Sequence, residues 1–334
     1  MSIFKNLLTR LIVVALLAAL PAWAQQPPAA TPQQLKLGLA GQSMIASIPR
    51  FAKEMGLFDK RGIDVQFVSL DSANASATAL IAGSIDYAFS GPVELIMARA
   101  RGRDVVAIVN DYGGLGGSLV LAKSVADKLG VAASAPLAER IKALKGLTLA
   151  SPSATSAYTV SFKAAAAAAG VDLKFTYMAI PAMPAALDSG AVQGFVASAP
   201  FWALPVVAGT GVLWVSGPKG ELPAAMMPRS TSVLLTLRDT IKARPEQVKA
   251  LAAVFADFID AIDKRPADVK AAVVKLFPSI DARTMDLLFE SESQAWKAKP
   301  LNGADIAHEI AYVKQSGVAL PQLDGADPAS FVWP

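Results

Sequence analysis

The stretch ALIAGSIDYAFSGP (79–92) returns further along the chain as ALDSGAVQGFVASAP (186–200), and the pair decides how the sequence reads. Each copy runs from an apolar helical segment through a glycine into a strand-like run, and stops on small residues and a proline. A second pair, GIDVQFVSL (62–70) and GVDLKFTYM (170–178), precedes the first in the same order, and the two offsets are 108 and 107 residues. Upstream of each lies a strand entering a polar loop, LKLGLAGQSMIAS (35–47) and LTLASPSATSAY (147–158). Helical stretches follow, IPRFAKEMGLF and TVSFKAAAAAAG, the second closed by Gly170 where a left-handed cap belongs. The copies end on the strands DVVAIV (104–109) and GVLWVS (211–216).

Strands alternating with helices at this spacing predict an α/β fold, a parallel doubly wound sheet with helices on both faces. Two copies predict two such lobes with a ligand cleft between them. SLVLAKS (118–124) and TSVLLTL (231–237) are expected to be the hinge crossings, which assigns 35–117 and 238–334 to lobe 1 and 125–230 to lobe 2. Beyond 238 the pattern turns helical, in EQVKALAAVFADFIDAI (246–262), ADVKAAVVKLF (267–277), ARTMDLLFESESQAW (282–296) and ADIAHEIAYVKQSG (304–317), the last closed by Gly317. This tail has no sheet of its own and is expected to pack on lobe 1.

Of the 334 residues 53% are hydrophobic and 17% charged, enough apolar material for one large core or two ordinary ones. At the start, Lys5 and Arg10 precede the uncharged run LIVVALLAAL, followed by Pro21 and AWA. That layout is a secretory signal peptide over 1–24, cut after Ala24, and it is shorter than the about 20 apolar residues a membrane span needs. QQPPAATPQQ (25–34) reads as a flexible tether. Cysteine is absent, which excludes disulfides, thiolate metal sites, a cysteine nucleophile and lipid attachment through cysteine. An exported chain of this kind points to a bacterial periplasm. Without Lys5 and Arg10 the chain carries 29 basic and 27 acidic residues, and no basic cluster interleaved with aromatics argues for nucleic acid.

In such sheets the ligand lies beyond the carboxyl ends of the strands. Ser90 and Gly91 occupy such an end, Gln42 and Ser43 offer a polar contact from the first loop, and Met44 offers an apolar one. In SPSATSAY, Pro152 ends the strand while Ser153, Thr155 and Ser156 place hydroxyls beside the N–H groups of a starting helix. Such hydroxyls cap helices, and three in a row at a cleft loop also fit an anion. Phe201 and Trp202 follow the second small-residue turn and either wall the pocket or fill a core. Arg229 is the one basic residue expected near an anion, its alternative being the surface. DYGGLGGS (111–118) lacks the spacing of a nucleotide loop and reads as a flexible loop near the cleft or hinge.

No catalytic residue emerges. The one histidine, His308, stands alone on the last helix, no GxSxG elbow occurs, and Asp71, Asp86, Glu94 and Asp111 are scattered without a readable pairing. No metal or cofactor is implied.

The segments FAKEMGLFDKRGIDVQFV, ALIAGSIDYAFSGP, LKGLTLASPSATSAY and ALDSGAVQGFVASAP resemble the periplasmic solute-binding proteins of ABC importers, in the group that takes up nitrate, sulfonates and thiamine precursors. The resemblance spans roughly 35–235 and implies the type II periplasmic-binding-protein fold. It also implies a ligand held between closing lobes and docking of the closed monomer on a membrane permease. Carried over residue by residue, it points to Gln42, Ser43, Ser90, Gly91, Ser153, Thr155 and Ser156 as ligand contacts. Where many members are more polar or aromatic, this chain has SGP and ASAPFWA, which favours a small organic anion with an apolar body over an inorganic ion. A receptor serving a sensor, or another transporter class, is the alternative. The related enzymes that make the thiamine pyrimidine use a histidine, iron and a cysteine-rich motif, and this chain has no cysteine.

Overall fold

The computed structural model describes residues 33–41, 43–154, 156–315, 320, 323 and 325–334. The expected signal peptide, most of the tether, Gln42, Thr155 and Gly317 lie outside the described residues. No helix among the described residues is long and apolar enough to cross a membrane.

Among the described residues ten strands form two five-stranded sheets. The first takes β1 (Gln33–Ala40), β2 (Ile63–Leu70), β3 (Tyr87–Ser90), β4 (Val105–Gly113) and β10 (Ser230–Leu237), in the order β2-β1-β3-β10-β4. The second takes β5 (Ser118–Ala122), β6 (Thr148–Ser151), β7 (Lys174–Tyr177), β8 (Gly194–Ala197) and β9 (Gly211–Ser216), in the order β7-β6-β8-β5-β9. The two orders are the same pattern, and the repeated segments occupy the same places in it. β1 starts at Gln33, inside the segment expected as tether. The repeat also fixes its turns alike: Gly83 and Gly190, each before the third strand of its lobe, have φ of 73° and 76°, a conformation that a side chain disfavours.

The expectation of purely parallel sheets needs one correction. β1 pairs in parallel with β2 and β3, and β6 with β7 and β8. β10 and β5, however, run antiparallel to both of their neighbours. Each enters its sheet by crossing from the other lobe, so it arrives travelling the opposite way. The segments expected as crossings, 118–124 and 231–237, therefore hold sheet strands, and the chain passes between sheets at 114–117 and 217–229. The glycines there have a steric cause. A Cβ on Gly217 would meet the carbonyl of Gly117 at 2.2 Å, and one on Gly117 would meet the Tyr158 ring at 2.5 Å. DYGGLGGS is thus a place where two backbones touch.

The tail forms helices at Pro245–Lys264, Pro266–Leu276, Ala282–Trp296 and Gly303–Gln315. In the first, Val248, Leu251, Phe255, Phe258 and Ile262 recur at the three- and four-residue spacing of one helical face and are buried. That face lies on the sheet of lobe 1, where Phe255 meets Phe89 at 5.2 Å and Phe58 at 6.2 Å between ring centroids. Leu35, Leu37 and Leu39 of β1 join the same core. The Gly303–Gln315 helix covers the opposite face, with Ile306 and Val313 beside Ala107, Val233 and Leu235. Lobe 2 has its own cluster around Leu149, Phe162, Val196 and Trp214. The tail also reaches lobe 2, since the Tyr312 hydroxyl lies 2.8 Å from Ser161 Oγ and donates to the Ala157 carbonyl at 2.8 Å.

Candidate functional site

At the carboxyl ends of the inner strands the two lobes enclose a cavity of about 440 Å³. Lobe 1 lines it with Ser43, Ile45 and Ala46 after β1, and with Phe89 through Glu94 around the end of β3. Lobe 2 contributes Ser153, Ser156, Ala157 and Tyr158 after β6. Pro228 and the first residues of β10, Ser230 through Ser232, form one wall, and Glu309, Tyr312 and Val313 of the last helix form another.

The turn SGP owes its composition to a carboxylate. Ser90 ends β3, and its hydroxyl donates to the Ala73 carbonyl at 2.8 Å. Gly91 is the N-cap of the Pro92–Ala100 helix, and its N–H donates to Oε2 of Glu94, three residues on, at 3.1 Å. This is the glutamate half of a capping box. A Cβ on Gly91 would stand 2.6 Å from that same oxygen, so the smallest residue leaves the carboxyl its seat. Burial pushes the Glu94 carboxyl above the usual carboxylate range.

The hydroxyls of Ser43 and Ser156 also serve their own backbone. Ser43 Oγ accepts from the Ala46 N–H at 3.2 Å, and Ser156 Oγ accepts from the Tyr158 N–H at 3.2 Å. The Ser153 carbonyl accepts the Thr159 hydroxyl at 2.7 Å. All three residues nevertheless face the cavity.

Four predicted residues do not line this cavity. Met44 is fully buried, and its N–H crosses to the Ala199 carbonyl of lobe 2 at 3.3 Å. Trp202 is fully buried, and its indole N–H donates to Glu292 Oε1 at 3.1 Å, while Phe201 packs on the same core. Arg229 is off the lining, its Nε 3.8 Å from Asp305, while its backbone N–H donates to Glu309 and its charge favours that carboxyl's ionised form.

Sequence reading overlooked the Glu309 wall. Glu309 Oε1 accepts from the backbone N–H groups of Arg229 and Ser230, the latter at 3.1 Å, and burial pushes the carboxyl up to about 7. Nothing local marks Glu309, which lies 80 residues from Arg229 in the chain. Glu94 had a local signal, its place three residues after Gly91 and two after Pro92. Tyr158 is half-buried, with its hydroxyl pushed up to about 12 by desolvation. His308 stays off the cavity, its Nε2 2.8 Å from the Met227 carbonyl. Among the described residues no group of three or more His, Cys, Asp or Glu could hold a metal ion.

Solved structures share this architecture across nearly the whole chain. The periplasmic aliphatic sulphonate binding protein SsuA of Escherichia coli superposes with a TM-score of 0.65 at 18% identity, covering 91% of this chain and 92% of its own. The alkanesulfonate-binding protein SsuA of Xanthomonas axonopodis pv. citri, bound to MOPS, gives 0.65 at 18%, covering 91% and 99%. The Candida albicans CA3427 product, described as having the generic periplasmic binding protein fold, gives 0.61 at 14%, covering 90% and 96%. The fold is therefore that of the periplasmic binding proteins. Within it the chain belongs to the NMT1-like family, whose model matches residues 28–277. No curated protein matches the chain by sequence.

Proposed function

We propose that the protein is an exported, non-enzymatic solute-binding protein that captures a small organic molecule between its lobes in the periplasm and delivers it to the permease of an ABC importer. The observation that carries this reading is the cavity itself, built from strand-end turns of both halves of the repeat and walled by the start of β10. The similar structures named as sulfonate-binding proteins support it.

The geometry supplies a mechanism without chemistry. The lobes touch through Met44 and Ala199, through Trp202 and Glu292, and through Ser161 and Tyr312. A ligand in the cavity contacts both lobes only while such contacts hold, so it binds the closed form better and shifts the population toward it. Small-angle scattering of the purified protein, with and without the small-molecule fraction of a cell extract, tests it. Compaction together with a raised melting temperature is expected. Unchanged scattering and melting would overturn the reading.

A further inference from the structure

The charge around this cavity is of one sign. Among the described residues lining it, Glu94 and Glu309 are the charged side chains, and no lysine, arginine or histidine joins them. The expected counter-cation, Arg229, is not part of the lining: its Nε lies 3.8 Å from Asp305, and from there its charge also favours the ionised form of Glu309. The helix start in lobe 1 that would have attracted an anion is already occupied, since the Gly91 N–H is held by Glu94.

Both carboxyls keep acceptor capacity for something else. Glu309 is 1% exposed, with Oε1 taken by two backbone N–H groups and Oε2 without a hydrogen-bond partner among the described residues. Glu94 uses Oε2 on Gly91, and its own backbone N–H is the other donor that bears on the carboxyl, which leaves lone pairs open toward the cavity. An ionised carboxylate accepts through both oxygens, so each side chain has an acceptor to offer a donor in the cavity. The remaining lining is hydroxyl and apolar, with Ile45, Phe89 and Val93 offering a surface for a hydrocarbon body.

Building on the solute-binding reading above, we infer that the cavity takes an organic cation, a protonated amine or amidine on a small apolar body, with its N–H groups directed at Glu94 and Glu309. The hydroxyls of Ser43, Ser153 and Ser156 then supplement the carboxylates instead of forming an anion site. Burial holds both carboxyls toward the neutral acid in the free protein. An entering cation favours their ionised forms and gains two charge-assisted hydrogen bonds.

The test uses matched probes that differ in charge and share a body: benzamidine and benzylamine against benzoate and benzenesulfonate. Melting temperature and titration calorimetry at pH 8 are recorded for the wild type, Glu309→Gln and Glu94→Gln. The expected result is a shift with the cations alone, and a loss of affinity of about tenfold or more in Glu309→Gln, whose amide oxygen still accepts the two backbone N–H groups. Stabilisation by benzoate or benzenesulfonate, or no shift with either cation, would overturn the assignment. If the extract fraction still compacts the protein in scattering, only the charge assignment falls. If it does not, the solute-binding reading falls with it.

Discussion

The two halves of the repeat finish the same turn by different means. In lobe 1, β3 ends in Ser90-Gly91-Pro92, and the carboxyl that closes the turn, Glu94, comes from the helix that follows. In lobe 2, β8 is followed by Ser198-Ala199-Pro200, and Trp202 behind the turn is satisfied by Glu292, a residue of the tail helix Ala282–Trp296. Glu292 also accepts the Tyr112 hydroxyl of β4 at 2.6 Å, so one buried carboxyl joins both lobes and the tail. Lobe 1 closes its turn locally, whereas lobe 2 borrows a group from 90 residues away. A duplicated unit can keep its strand order while one copy transfers a polar requirement to an appended segment.

This contrast can be broken at Trp202. The fully buried indole fills the core behind the lobe 2 turn, and Trp202→Ala is expected to cost about 3–5 kcal/mol in urea unfolding. A loss near that of a surface substitution would show that the borrowed contact is dispensable.

The second test is pH. Burial lifts Glu292 from 4.5 to about 7, and Glu309 and Asp111 move the same way, to about 7. An acid held above its unfolded value favours folding fully below that value, and the benefit is lost as pH rises through the folded one. Stability should therefore fall between about pH 4.5 and pH 7, by about 3 kcal/mol for Glu292 alone. Asp257 and Asp281, which are shifted downward, act below this window. Urea midpoints at pH 5 and pH 7.5 should lie closer together in Glu292→Gln than in the wild type, and equal separations would count against the assigned burial.

The third concerns two glycines. Gly217→Ala places a Cβ against backbone carbonyls of Gly117 and Leu115, which cannot swing aside, and about 1–3 kcal/mol of destabilisation is expected. Gly91→Ala meets only the end of the Glu94 side chain, which can rotate away, so its cost should be smaller. Thermal melts of both variants side by side read the difference, and the reverse ranking would refute the steric account. The smallest effect belongs to Glu94→Ala, about 1 kcal/mol for the lost capping bond, seen as a small drop in melting temperature.

The residues explain what was legible in advance. Strand and helix positions follow from short-range patterns, so the repeats at 62–70 and 170–178 located β2 and β7, and the tail helix expected at 282–296 has those limits. The small residues after β1, β3 and β6 pointed to the cavity because strand ends are visible locally. The antiparallel arrival of β5 and β10 was not, since it depends on where the chain crosses and not on any side chain. Glu309 and Glu292 were equally hidden. Each is an ordinary glutamate on an amphipathic helix, and only the packing of the tail against both lobes brings them to Arg229, Tyr112 and Trp202.

The contact between Gly117 and Gly217 carries a practical consequence. With no side chain between the two passing backbones their separation is at its minimum, and a Cβ added on Gly217 would act as a spacer between them, against the carbonyls of Gly117 and Leu115 and away from the cavity lining. A graded series at Gly217, alanine, then serine, then valine, is expected to shift the resting angle of the lobes. Paired with a fluorophore on each rim, it would convert this protein into a detector whose working range is adjusted at the bearing and not at the pocket.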